Sequence, residues 1–411
     1  MKTPDTDRSR LSLRSVVIVQ ALFLAAFAVA WLMMSPLEER RLAAQVQRGR
    51  LRPAIQFTNR KPAVVSPLYD DETVVSDEEL TLVLQKIVPR FQQKRLKPNF
   101  VEHALRAWGS EVEFRDSELI SGPQLADYLL NAGEHAASWG PDSTPILVPA
   151  DRGVSIRWGG DYSASVHHDH LLASLAEAGV DLDEPVFTTN RRATMQDIFS
   201  EALRDFRLDE RETEWSTIGF ALYLAPQRTN SWHNSQGRHI TFDLLAARLM
   251  RCHRNKGVCL GTHRVYSLMA LLRLNQDYGN SLISDHTIAA VMKFLEETRD
   301  LMIASQDEDG SWPPNWHEGE HASDNVDPEE QLHRRVIATG HHLEWLAIAP
   351  KSLHPPHDSI VRAAGWIIRN VRKTPQDVVD SKYTFYSHVG NALALWRKTT
   401  PAGFWKDQVE Q

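Results

Sequence analysis

The residues best suited to proton chemistry recur in five polar clusters, and four of the five contain histidine. They are SVHHDHLLASLAEAG around His168, ETEWSTIGFALYLA around Glu214, GTHRVYSLMALL around His263, ATGHHLEWLAIA around His341 and YSHVGNALALW around His388. An unperturbed imidazole titrates near pH 6.5, so it can give or take a proton at neutral pH. A carboxylate beside it can orient the ring or share the proton, and Glu214 and Glu344 stand in these clusters. The chemistry expected is general acid–base catalysis, with His341 and His263 as acid and base. His168 and His388 are further candidates, and His167, His170 and His342 share the same clusters. The competing assignment is that each histidine caps or hydrogen-bonds a helix end.

Two spacings suit a metal ion. Cys259-x-x-x-His263 puts a thiol and an imidazole one turn apart if residue 259 is helical. Thiolate and imidazole are preferred zinc ligands, so zinc is the cofactor these residues suggest. His317-Glu318-x-x-His321 matches the H-E-x-x-H pattern, in which two histidines on one helix face hold zinc and the glutamate serves its water. Gly319 inside the motif and Pro313-Pro314 upstream argue for a solvated loop instead. The two cysteines, Cys252 and Cys259, have other uses: buried free thiols, or a small disulfide worth about 2.5 kcal/mol in loop entropy. Trp312, Trp316, Trp345 and Tyr386 could wall a sugar or isoprenoid, or simply pack the core.

Something must bring these groups together. The steps from 168 to 214, 263, 341 and 388 are 46, 49, 78 and 47 residues. A repeat near this period indicates stacked helix pairs. After its first polar turn each cluster is apolar nearly all round, as in a helix buried on every side. Amphipathic helices alternate with the clusters, with N-caps expected at Thr194, Thr241, Ser284 and Ser359. One such helix has Ile288, Val291, Met292 and Leu295 on one face and Lys293, Glu296, Glu297 and Arg299 on the other. This alternation predicts inner helices around an axis with outer helices wrapped outside them, and a single rim where the clusters converge. The long third step is explained by a polar loop over 306–330. Upstream, Ser76-Asp77-Glu78-Glu79 is a capping box, helices are expected over 99–108 and 122–131, and 139–162 reads as loop with one short strand at either ILV (146–148) or VSIRW (154–158). The expected fold class is all-α: an (α/α) toroid over 76–405, with the repeat clearest in 163–400.

Gln306-Asp307-Glu308-Asp309-Gly310-Ser311-Trp312 resembles the Q-x-x-x-G-x-W motif of squalene–hopene and oxidosqualene cyclases, and it directly follows an outer helix as theirs does. The resemblance implies the (α/α) toroid superfamily, which also holds protein prenyltransferase β subunits, lanthionine cyclases and several polysaccharide lyases. Members of it bind zinc at the rim through Cys and His, but no Asp stands two residues before Cys259. The D-x-D-D acid motif of the cyclases is absent, which argues against triterpene cyclisation. Gly340-His341-His342-Leu343-Glu344-Trp345 resembles the G-H-x-x-E-W pattern of N-acylglucosamine 2-epimerase and cellobiose epimerase relatives. That likeness implies active-site roles for His341 and Glu344.

Val16 to Met34 is an uncharged run broken only by Gln20, long enough for the roughly 30 Å hydrocarbon core. It predicts an N-terminal tail (1–15), a transmembrane signal-anchor (16–34) and a juxtamembrane linker (35–75). Ala28-Val29-Ala30 would suit a cleaved signal peptide instead. Lys2, Arg8, Arg10 and Arg14 before the run nearly balance Arg40, Arg41, Arg48, Arg50 and Arg52 after it, and an extracytoplasmic body is expected. A net charge of −7 without a block of like charge gives no reason to expect a nucleic-acid partner. No phosphate-binding glycine loop, nucleotide fingerprint or serine nucleophile elbow is present. The expectation is a membrane-anchored enzyme with a His-lined cavity, a lyase, epimerase or transferase acting on a carbohydrate or lipid-linked substrate. The alternatives are a non-catalytic binding or scaffold toroid that holds a glycan or peptide, and a zinc hydrolase using His317 and His321.

Overall fold

The computed structural model describes residues 13–33, 55–254, 257–322, 324 and 332–409. It comprises two units, Met1–Gln56 and Phe57–Gln411. In the first, α1 (Leu13–Met33) is a 21-residue helix. Its large apolar side chains are exposed, Phe23 at 78% and Leu32 at 83%. Among the described residues no helix is long and apolar enough to cross a membrane. The transmembrane segment expected over 16–34 therefore has no direct support there. The tail through residue 12, Met34, and the expected linker over 35–54 with its arginines lie outside the described residues.

The second unit is mostly helical. Twelve of its helices alternate along the chain between two environments. The inner ones are α3 (Pro98–Trp108), α6 (His170–Glu177), α8 (Thr213–Leu224), α10 (Thr262–Asp277), α12 (Leu332–Ile348) and α15 (Tyr383–Trp396). Each packs on the next, and α15 packs back on α3, so six helices close a ring. Every residue of α8 is buried, as is every residue of α12 from Val336 on, which is why these segments lack a polar face. The outer ones are α2 (Asp77–Ile87), α4 (Gly122–Leu130), α7 (Met195–Asp205), α9 (Phe242–Arg251), α11 (Asp285–Ser305) and α13 (His357–Lys373). They keep one buried stripe each, such as Ile360, Ala363, Ala364, Ile367 and Val371 in α13. The close seat of α2 on α15 requires Gly390, where a Cβ would lie 2.2 Å from Ile87 Cδ1.

Local signals set the helix starts. Ser76 and Glu79 form the expected capping box, Thr241 and Ser284 accept from Leu244 N and Thr287 N, and Asp197 accepts from the Thr194 N–H. Ser359 is not a cap: α13 starts at His357 behind Pro356, and Ser359 sits in the first turn. The motif ending in Trp312 ties two helix pairs together. The Gln306 side chain donates to Gly310 O and Ser359 O, and the Trp312 indole donates to Met302 O.

Among the described residues, three two-stranded hairpins decorate the helices. The first, β1 (Leu147–Pro149) with β2 (Val154–Ile156), falls in the expected loop and uses both candidate strand segments. The body also begins before residue 76. Residues 60–71 run across the ends of several inner helices, with Ala63 N donating to Leu222 O, Leu68 N to Ala347 O and Asp71 N to Trp396 O. Helix C-termini leave carbonyls without helical partners, and this strap satisfies several of them, so 57–75 packs as part of the second unit.

Candidate functional site

One aromatic ring from each inner helix meets its neighbours in a closed layer. His103 of α3 lies 4.7 Å from His170 of α6, centroid to centroid, and His170 lies 4.3 Å from Trp215 of α8. Trp215 lies 4.2 Å from His263 of α10, and His263 lies 4.3 Å from His341 of α12. His341 lies 3.9 Å from His388 of α15, and His388 lies 5.1 Å from His103, closing the circuit. The five imidazoles are all buried. Burial pushes each of them below its ordinary value, and the packed neighbours add to this for His103, His170, His263 and His388. They are neutral at pH 7. Nε2 of His170, His341 and His388 and both nitrogens of His263 are buried without a hydrogen-bond partner among the described residues. Five such orphans in one layer are unusual, because each costs about 1–3 kcal/mol unless something binds it.

A charged network backs the layer. His341 Nδ1 is 2.9 Å from Glu344 Oε2, and Asn391 donates to Glu344 Oε1 at 2.7 Å. Arg106 makes ion pairs to Glu344 Oε1 at 2.9 Å and Glu177 Oε2 at 2.5 Å, and its Nη1 is 2.8 Å from His388 Nδ1. Burial alone would raise the Glu344 carboxyl, but the Arg106 guanidinium and the hydrogen bond from His341 hold it well below the usual range. A carboxylate accepts only, so the His341 proton sits on Nδ1 and its Nε2 carries a free lone pair. Arg106 donates only, so His388 Nδ1 accepts and its proton sits on Nε2. On the far side His170 Nδ1 bonds Glu102, whose carboxyl burial raises to about 8.

The segment before α10 brings a thiol to this layer. Gly257, Cys259, Leu260 and Gly261 have φ of 112°, 48°, 62° and 81°. Two successive non-glycine residues in the left-handed region cost on the order of 1–2 kcal/mol each, and such strain collects at functional sites. Glu214 pins the segment by accepting from Val258 N at 2.9 Å. Cys259 is thus not helical, yet its Sγ and ring nitrogens of His263 and His341 lie within 4.8 Å of one another. The same holds for His341, Glu344 and His388. Either triad could hold a metal. Burial lifts the half-buried Cys259 thiol to about 12.

Of the residues anticipated from sequence, His263, His341, His388 and Glu344 come together. Glu214 does not enter the layer; it holds the loop. His168 stands outside it, ion-paired with Glu210 at 2.8 Å and Asp169 at 3.2 Å. Burial would lower its pKa, but these two carboxylates raise it to about 10. His342 points away, accepting from the Trp345 indole amid Trp312 and Trp316. That aromatic group is buried packing rather than a cavity wall. His317 and His321 lie in a short 3-10 turn kinked at Gly319, not on an α-helix. His321 is 79% exposed and bonds Asp324, so the H-E-x-x-H geometry is not formed. Cys252 and Cys259 are free thiols, and no disulfide joins them.

Sequence reasoning missed His103, Arg106, Glu102 and Trp215. The first three lie in EHALRAW, a Glu-His pair followed by helix like the other clusters. Its spacing to His170 is stretched by α5 (Ala132–Trp139) and the first hairpin. A cavity of about 680 Å³ ends on the opposite face of the network, at Arg106, Glu177, Tyr266 and Asn391. Its walls include Val64 and Val65 of the strap, Leu222 and Leu395. The Tyr266 hydroxyl donates to Glu177 Oε1 at 2.7 Å. None of the layer's rings lines this cavity. No protein family, curated protein or solved structure matches the chain.

Proposed function

We propose that the helical body is an (α/α) toroid enzyme in which the imidazole layer, acting through the Arg106, Glu177 and Glu344 network that separates it from the adjoining cavity, supports acid–base chemistry on a carbohydrate or lipid-linked substrate held there. The observation that carries this is the His341–Glu344 pair. A buried carboxylate fixes one tautomer and leaves a lone pair among neutral rings. His263 is the partner, and Glu102 is a carboxyl whose raised value lets it keep a proton near neutrality. The cavity offers apolar walls for a lipid portion and Tyr266, Glu177 and Asn391 for hydroxyl groups. The reaction class is lyase, epimerase or transferase. The exposed apolar faces of α1 support an anchor that holds the body at a membrane, with the body outside the cytoplasm.

Tritium exchange tests the chemistry. Purified full-length protein in tritiated water should label carbon-bound hydrogen in a carbohydrate or lipid-linked carbohydrate pool. His341→Asn should slow labelling roughly a hundredfold or more. No labelling, or equal labelling by the variant, would sink the proposal. One observation favours a second reading, a binding toroid: the layer is walled off from the cavity by Arg106 and its partners. Retention of a glycan without exchange would select it. The anchor is tested by carbonate washing of membranes from cells expressing the full chain, which should leave the protein in the pellet.

A further inference from the structure

We propose that Cys259, His263 and His341 bind one zinc-class divalent metal ion. This rests on the imidazole layer being the chemical centre and specifies how its lone pairs are used. Four observations converge on these three residues. Their donor atoms lie within 4.8 Å of one another, and a tetrahedral ion needs them roughly 3.5 Å apart, a contraction of at most about 1.3 Å. Both nitrogens of buried His263 and Nε2 of buried His341 have no hydrogen-bond partner among the described residues. Glu344 takes the His341 Nδ1 proton, the carboxylate–histidine arrangement that orients a ligating imidazole. The left-handed residues at 259 and 260, pinned through Val258 by Glu214, hold a thiol in a conformation that the local chain disfavours.

The other triad is excluded by its own bonds. His388 Nδ1 accepts from Arg106, so its Nε2 bears hydrogen and has no lone pair to offer. Glu344 is already engaged by Arg106, Asn391 and His341, and a cation on it would sit beside a buried guanidinium. Charge agrees with the Cys259 set. Arg106 is paired with two carboxylates, Glu177 and Glu344, leaving one formal negative charge in excess. A dication bound with loss of the Cys259 thiol proton brings the group to neutrality. Thiolate with imidazole selects zinc-class ions over magnesium or calcium, and three protein ligands leave one coordination position for water or substrate.

Full-length protein purified without chelator should carry one zinc per chain by elemental mass spectrometry. After chelation, cobalt(II) should restore one equivalent with a sulfur-to-cobalt charge-transfer band. Cys259→Ser should abolish that band and Cys252→Ser should keep it. Glu344→Gln should weaken cobalt binding tenfold to a hundredfold. His321→Ala should leave the stoichiometry unchanged. Only traces of metal in folded wild-type protein with no cobalt band would overturn the proposal, as would a band that survives Cys259→Ser. The wild-type measurements need no variant to fold. Tritium exchange without metal would remove the ion and leave the acid–base chemistry standing, whereas stoichiometric metal without exchange would do the reverse.

Discussion

His341 and His342 are consecutive residues of one helix, yet they belong to different regions. His341 faces the ring axis among four other imidazoles and is held by Glu344, while its Nε2 is left open. His342 faces outward into Trp312, Trp316 and Trp345 and accepts an indole hydrogen bond. Burial lowers both pKa values, that of His342 to about 3. A depressed histidine pKa therefore does not mark function here. The distinction lies in what surrounds the ring: a gathering of unspent donors and carboxylates in one case, apolar packing in the other. One step along a helix turns the side chain by roughly 100°, enough to change regions.

The largest effect expected is acid sensitivity, and it belongs mainly to the layer. His103, His170, His263, His341 and His388 are all depressed when folded, so the unfolded chain binds protons first. Their stabilisation is complete above pH 6.5. It is lost progressively as pH falls below that value toward the folded pKa values. Each such group contributes up to about 1.4 kcal/mol per pH unit once the pH is a unit or more below 6.5, so five together approach roughly 7 kcal/mol per unit there. Denaturant unfolding at pH 7.5 and 5.5 checks this. A flat profile would mean that the layer is already protonated or open to water. His342 is a single depressed histidine against the layer's five, so it should account for a much smaller part of the slope than the layer does.

Trp312→Ala tests the packing region alone. Its indole is fully buried and donates to Met302 O of α11, while its backbone N–H donates to Thr339 Oγ1 of α12. Truncation should cost about 3–5 kcal/mol, read by thermal or urea unfolding. Cobalt binding and exchange should persist in whatever fraction remains folded. Loss of the cobalt band at a stability that keeps the protein folded would show that the two regions are not separable. His342→Phe follows, at about 1–3 kcal/mol, because it leaves the Trp345 N–H buried and unpaired. It should not change exchange, whereas His341→Asn should stop it with a smaller effect on stability.

The sequence exposed the rhythm more clearly than the site. Apolar segments at a near-constant period marked five of the six inner helices, since burial on all sides removes the polar stripe. The sixth was hidden by the insertion of α5 and a hairpin, which break the period but leave the ring intact. Polar residue type located each cluster to within one or two positions and no better. His170 rather than His168 enters the layer, and Trp215 rather than Glu214. Neither choice is legible without knowing which way the helix is rotated. His341 and His388 lie inside their helices rather than at the openings, so convergence comes from ring geometry and not from helix ends. The thiol was legible as a ligand type, but its position depends on a left-handed turn that a helical spacing rule does not anticipate.

Glu214 and Trp215 repeat the contrast of His341 and His342 on another helix, and the smallest effect expected separates them. Trp215 packs between His170 and His263, while Glu214 turns aside to hold Val258 N. Glu214→Gln keeps an oxygen acceptor for that N–H and removes a charge only 3.9 Å from Arg264 Nε. If Glu214 acts by geometry, the change should cost less than about 1 kcal/mol, and the rate at which a thiol reagent labels Cys259 should stay as in wild type. Glu214→Ala removes the acceptor, and the strained turn at 259 and 260 should relax, so that Cys259 labels faster. The control is Cys252, whose labelling should follow neither variant. Faster labelling in Glu214→Gln would show that the carboxylate charge, rather than the hydrogen bond, holds the turn. Glu214 would then belong electrically to the layer that its side chain does not enter.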